Sequence, residues 1–120
     1  YIGGPVEKQS LQFIHTLGSI IPNSKQIIDG IYFGGDFETV IQLMHDKKIT
    51  KNEIRFFVGY SGWEAEQLNN EIRDDAWIVQ TAKNELCMNY STPKIWSDII
   101  KTKKMEHAIW ANMPKDPSLN

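Results

Sequence analysis

The sequence predicts strands and helices built into one domain, and three observations carry that prediction. Ile54-Arg55-Phe56-Phe57-Val58, rich in β-branched and aromatic side chains, reads as a strand buried on both faces. It runs through a glycine-bracketed turn, Gly59-Tyr60-Ser61-Gly62, into Ser61-Gly62-Trp63-Glu64, the serine-x-x-glutamate spacing of a helix capping box. Upstream, Gln26–Phe33 followed by Gly34-Gly35 and Asp36 has the same order of strand, glycines and helix cap.

The chain divides as follows. Tyr1-Ile2-Gly3-Gly4-Pro5-Val6-Glu7 reads as a strand end and a turn. Leu11, Phe13 and Leu17 alternate, which favours a strand over a helix there, with Ile14 off the pattern. Ile20-Ile21-Pro22-Asn23-Ser24 is a turn, and Gln26–Phe33 a strand whose Gly30 marks a bulge or a break. Asp36 caps a helix from Phe37 to about Lys47, with Phe37, Val40, Ile41 and Met44 forming one apolar face. After the Ile54–Val58 strand comes a helix from Gly62 to about Arg73, with Ala65, Leu68 and Ile72 on one side.

Ala76-Trp77-Ile78-Val79-Gln80 reads as a short strand, and Lys83–Met88 as a loop or an edge strand. Thr92-Pro93 is an N-cap followed by proline at the first helical position. The helix behind it turns Ile95, Trp96, Ile99 and Ile100 inward and ends in the basic run Lys101–Lys104. His107–Asn112 has no clear period, and Met113–Asn120 is a proline-bearing tail. Tyr1–Glu7 echoes Tyr32–Glu38, two similar strand exits and not a repeat array.

Composition narrows the functional classes. A chain of 120 residues suits a single domain, and a net charge of −2 gives no support to a nucleic-acid or anionic-membrane partner. Cys87 is the lone cysteine, so a reducing compartment such as the cytoplasm fits, and no internal disulfide or thiolate cluster can form. Apolar runs stay far below the ~20 residues of a membrane span. The opening Tyr1-Ile2-Gly3-Gly4 looks like the end of an upstream strand, as though an N-terminal part were lacking.

Each chemical motif meets a plainer explanation. Ser61 departs from the glycine-x-serine-x-glycine nucleophile elbow by one position, and helix capping accounts for it. Glu64 and Glu66 would repel a phosphate at that turn, and no lysine or arginine follows the glycines as in a P-loop. Asp36 and Glu38 read as a cap and a first-turn acid, and His15, His45 and His107 show no metal-ligand spacing. No catalytic residue, metal or cofactor is therefore assigned. Lys101, Lys103 and Lys104 read as a solvated face, and Cys87, between Leu86 and Met88, as a small hydrophobe.

Two strands leaving through glycines as parallel neighbours would place both turns on one edge of the sheet, the usual position of a cleft. The candidate ligand or partner surface is accordingly Gly34, Gly35, Asp36, Gly59, Tyr60, Ser61, Gly62, Trp63 and Gln67.

Gly34-Gly35-Asp36-Phe37-Glu38, the run Arg55–Trp63, Gln67-Leu68, Glu71-Ile72, Ala76-Trp77 and the closing Asp116-Pro117-Ser118-Leu119-Asn120 together resemble the YqgE/AlgH family of bacterial proteins. The resemblance spans the whole chain. It implies an α+β domain, residues 1–120, with a mixed, curved sheet flanked by about three helices, and it implies a further segment upstream. The family's biochemical function is unknown, and members commonly have alanine at the position of Ser61. The role expected from the glycine-turn surface itself is a non-enzymatic cytoplasmic protein binding a small molecule or a protein. Two alternatives stand beside it: a transcriptional regulator, after the name of one branch, and a hydrolase or transferase using Asp36.

Overall fold

The computed structural model describes residues 1–88 and 92–102. Two compact units divide it, Tyr1–Met88 and Asn89–Asn120. Four strands and three helices make up the first unit: β1 (Val6–His15), β2 (Lys25–Ile28), β3 (Ile31–Phe33), α1 (Phe37–His45), β4 (Ile54–Tyr60), α2 (Gln67–Arg73) and α3 (Asn84–Met88). The second unit contributes α4 (Thr92–Thr102). The α+β class holds.

The sheet has the order β2-β3-β1-β4, and every named pairing is antiparallel. One parallel bridge, Ile2 to Val58, adds the N-terminal residues to the outer edge of β4. There the amide of Gly3 donates to the carbonyl of Val58, and the amide of Val58 to that of Tyr1, both at 2.9 Å. The Ile54–Tyr60 stretch thus lies at the margin of the four-stranded sheet, beside β1, and among the described residues Tyr1–Gly3 pair along its other side.

Alternation along the strands sorts the side chains onto two faces. The pairs Phe13–Phe56, His15–Ile54 and His15–Tyr32 share one face; Gln12–Phe57, Ile14–Arg55 and Ile14–Phe33 share the other. The first face meets α1. Phe13, Ile21, Val40 and Ile54 form the buried cluster, with Leu17, Leu43, Ile49 and Phe56 packed against it.

Several expectations change for identifiable reasons. Gln26–Phe33 is a hairpin of two strands, because the chain reverses at Asp29-Gly30 and pairs Ile28 with Ile31. Helix α1 forms as its sequence requires, with Asp36 accepting from the amide of Thr39 at 2.8 Å. Its buried side is Val40 with Leu43, however, while Phe37, Ile41 and Met44 are about half exposed. The sheet meets the helix about one residue round from the centre of the apolar stripe.

The capping box at Ser61 does not form. Helix α2 begins only at Gln67, behind Glu66 in a left-handed conformation (φ 64°) and without a side-chain cap. Gln67 takes over locally, its amide oxygen accepting from the Glu64 amide at 3.0 Å. The predicted strand Ala76–Gln80 pairs with no strand of the sheet and is irregular, and Lys83–Met88 contains the short helix α3. On α2, Leu68 and Ile72 are partly exposed, not a core face. In α4 Ile100 is fully buried and Ile95 and Ile99 are half-buried, whereas Trp96 stays exposed. The readings for 103–120 lie outside the described residues.

Candidate functional site

Strand β1 separates β3 from β4, so the two glycine exits are parallel in direction without being neighbours. Phe33, the last residue of β3, is level with Ile14 and through it with Arg55. Strand β4 continues to Tyr60, five residues farther, or ~16 Å at ~3.3 Å per residue. The Gly34–Asp36 exit and the end of β4 are therefore staggered along the sheet, and the expected turn at Gly59–Gly62 is absent because Gly59 and Tyr60 belong to β4 and the chain leaves it irregularly at Ser61.

A recess nevertheless joins the two strands. On the face away from α1, a cavity of about 440 Å³ is lined by Gly3, Gln12, Phe33, Phe57, Gly59 and Tyr60. That volume lies within the ~300–1,000 Å³ of small-molecule sites, and the mix of aromatic wall with a few polar groups is the usual chemistry of such sites. Gly59 is a left-handed residue (φ 72°), and a β-carbon on it would lie 2.7 Å from the Gly4 carbonyl oxygen and 2.8 Å from that of Val6. Backbone crosses backbone here: Gly3 and Gly4 pass over the end of β4, and only glycines let the chains approach so closely. The recess exists because that crossing replaces side chains with main chain.

Of the candidate surface, Gly59 and Tyr60 line this recess. Gly34, Gly35 and Asp36 are committed elsewhere. The Asp36 carboxylate accepts from both the hydroxyl and the amide of Thr39, at 2.5 and 2.8 Å, and these bonds hold its pKa below the usual carboxylate value. Gly35 is wedged against Ile21 and Pro22, where a β-carbon would come within 2.7 Å of a methyl group. Ser61 and Gly62 lie on the exposed chain leaving β4.

Trp63 and Gln67 build a separate cluster. The Glu71 carboxylate accepts from Trp63 Nε1 at 3.0 Å, Trp77 Nε1 at 2.6 Å and Gln67 Nε2 at 2.8 Å. The two indoles meet edge to face with centroids 5.6 Å apart. Three donors lower the pKa of Glu71, led by Trp77 and Trp63. This arrangement pins the loop before α2 to the chain after it, which explains Trp63 and Gln67 structurally.

Two residues outside the predicted surface bear on it. His15 is fully buried and bridges β1 to the β3 exit, with Nε2 2.9 Å from the Gly34 carbonyl oxygen and Nδ1 accepting from the Leu17 amide at 3.1 Å. Arg55 is only 9% exposed, on the recess face and one alternation from Phe57. The alternation Leu11, Phe13, His15, Leu17 could have marked His15 as inward. Arg55, a charge inside an apolar strand, was equally visible. Gln12, Phe33 and Phe57 could not be joined without the register.

The fold and recess define an α+β domain whose open antiparallel sheet carries an apolar small-molecule-sized cavity on one face. The chain belongs to the AlgH-like family, whose model matches residues 1–108. A UPF0301 protein of Chlorobium limicola is 38% identical over 120 residues, all of this chain and 64% of that protein. The UPF0301 protein BF2109 of Bacteroides fragilis is 36% identical over 118 residues, 98% of this chain and 60% of the relative. The chain thus spans rather less than two thirds of the length of these relatives. Two solved structures share the fold at 19% identity: protein DIP2367 of Corynebacterium diphtheriae, with a TM-score of 0.71 over 94% of this chain and 60% of that one, and the AlgH protein of Pseudomonas aeruginosa, with 0.68 over 97% and 60%. No helix among the described residues is long and apolar enough to cross a membrane.

Proposed function

We propose that this domain is a non-enzymatic binding module that takes a small, largely apolar molecule into the recess between Phe33 and Tyr60. The observation that supports it is the cavity of about 440 Å³ with Phe33, Phe57 and Tyr60 as its aromatic lining and the Gln12 amide as a polar group. Asp36, the residue an enzymatic reading would use, has its carboxylate bonded to its own helix. The single cysteine fits a reducing compartment, so the proposed location is the cytoplasm.

Titration with 1-octanol, followed by backbone amide NMR, tests the reading. The expected result is saturable shifts at Gly3, Gln12, Gly59 and Tyr60 that are lost in Phe33→Ala. Phe33 is 41% exposed, so that variant should fold. Shifts that are absent, or that survive Phe33→Ala unchanged, would overturn the proposal.

A further inference from the structure

Arg55 is a buried cation that no neighbour among the described residues neutralises. Its guanidinium lies 4.1 Å from the Tyr1 ring centroid and 5.9 Å from that of Phe57. One terminal nitrogen, Nη1, donates to the Cys87 carbonyl. Among the described residues the buried Nε–H has no hydrogen-bond partner and no carboxylate lies within ion-pair distance. Aromatic faces and one neutral carbonyl are weak compensation for a charge withdrawn from water. A buried unsatisfied donor on a cation is a standing preference for an anion.

Its position says where that anion belongs. Arg55 and Phe57 point to the same side of β4, and Gln12, which lines the recess, faces Phe57 across the β1–β4 pair. Arg55 therefore lies on the recess face of β4, one alternation beyond Phe57 and just outside the lining. Tyr1, which lies over the guanidinium, is 58% exposed, so it is the side of this cage most easily displaced.

We propose that the ligand is an amphipathic monocarboxylate, its apolar part in the Phe33–Phe57–Tyr60 recess and its carboxylate on Arg55 Nε in place of the Tyr1 ring. This rests on the recess reading above and adds the charge of the ligand to it. The shared apolar site and the separate polar anchor make the two claims distinguishable.

Octanoate and 1-octanol, matched in chain length, provide the test on the unmodified protein at neutral pH. Octanoate is expected to bind at least ten-fold more tightly, and to shift the Arg55 side-chain Nε–H resonance, which octanol leaves in place. Arg55→Met should abolish the preference while retaining octanol binding; if that variant does not fold, the wild-type comparison and the Nε–H resonance still decide. Equal binding of the two probes, or an unmoved Arg55 resonance, overturns the carboxylate assignment and leaves the recess standing. Binding of neither probe overturns both.

Discussion

His15 Nε2 lies 2.9 Å from the carbonyl oxygen of Gly34, nineteen residues away in sequence, and fastens the exit of β3 to the middle of the sheet. The Leu17 amide donates to Nδ1, so Nδ1 carries no proton and Nε2–H is the donor to Gly34. One neutral ring thus satisfies a donor and an acceptor that would otherwise be buried unpaired, and it stacks on Tyr32 with centroids 5.8 Å apart. Replacing it with phenylalanine leaves both backbone groups unmatched. His15→Phe is expected to lose about 2–4 kcal/mol in urea unfolding.

The same burial gives a pH dependence. Desolvation pulls the pKa of His15 below its ordinary value of 6.5, outweighing the Gly34 bond. Between the lowered native pKa and about 6.5, the unfolded chain binds the proton and the native chain does not, so stability rises with pH there. This contribution is complete above pH 6.5 and is lost as pH falls below it. Urea midpoints measured from pH 5 to 7.5 should show the slope in the wild type and a smaller one in His15→Phe.

At Gly59, alanine would bring a β-carbon against the Gly4 and Val6 carbonyl oxygens in a left-handed conformation. Gly59→Ala is expected to destabilise by roughly 1–3 kcal/mol or more, since strain and a backbone clash act together. It should also weaken octanol binding, because the same crossing shapes the recess. Wild-type affinity in a stably folded Gly59→Ala would contradict this account.

Neighbouring residues of α1 should behave very differently. Val40 is fully buried in the cluster with Phe13, Ile21 and Ile54, whereas Ile41 is 53% exposed. Val40→Ala is expected to cost about 2 kcal/mol through lost burial and the cavity left behind. Ile41→Ala should stay within about 0.5 kcal/mol. Thermal unfolding of the two variants side by side checks the orientation of the helix.

Glu71 gathers the Trp63 and Trp77 indole N–H groups, and because its pKa lies below the ordinary 4.5, the native carboxylate still holds both indoles at pH 4.5 and releases them only as pH falls through that lowered pKa. The near-UV circular dichroism of the tryptophan pair should fade over the same range. Glu71→Ala should remove that signal at neutral pH while leaving the sheet's far-UV spectrum in place.

By itself the sequence determined that strands and helices both occur, the strand character of Leu11–His15 and Ile54–Val58, and the Asp36 cap of α1. These follow from side-chain alternation and local hydrogen bonding, which act over a few residues. The Ser61–Glu64 capping box satisfied a local rule too, yet the chain there is irregular and Gln67 serves the Glu64 amide instead. Only the tertiary structure decided that β1 enters between β3 and β4, that Gly3 and Gly4 cross the end of β4, and that Phe33, Phe57 and Tyr60 border one recess. Register and strand order are set by contacts between residues tens of positions apart, and a pattern with a period of two residues is equally satisfied by either neighbour.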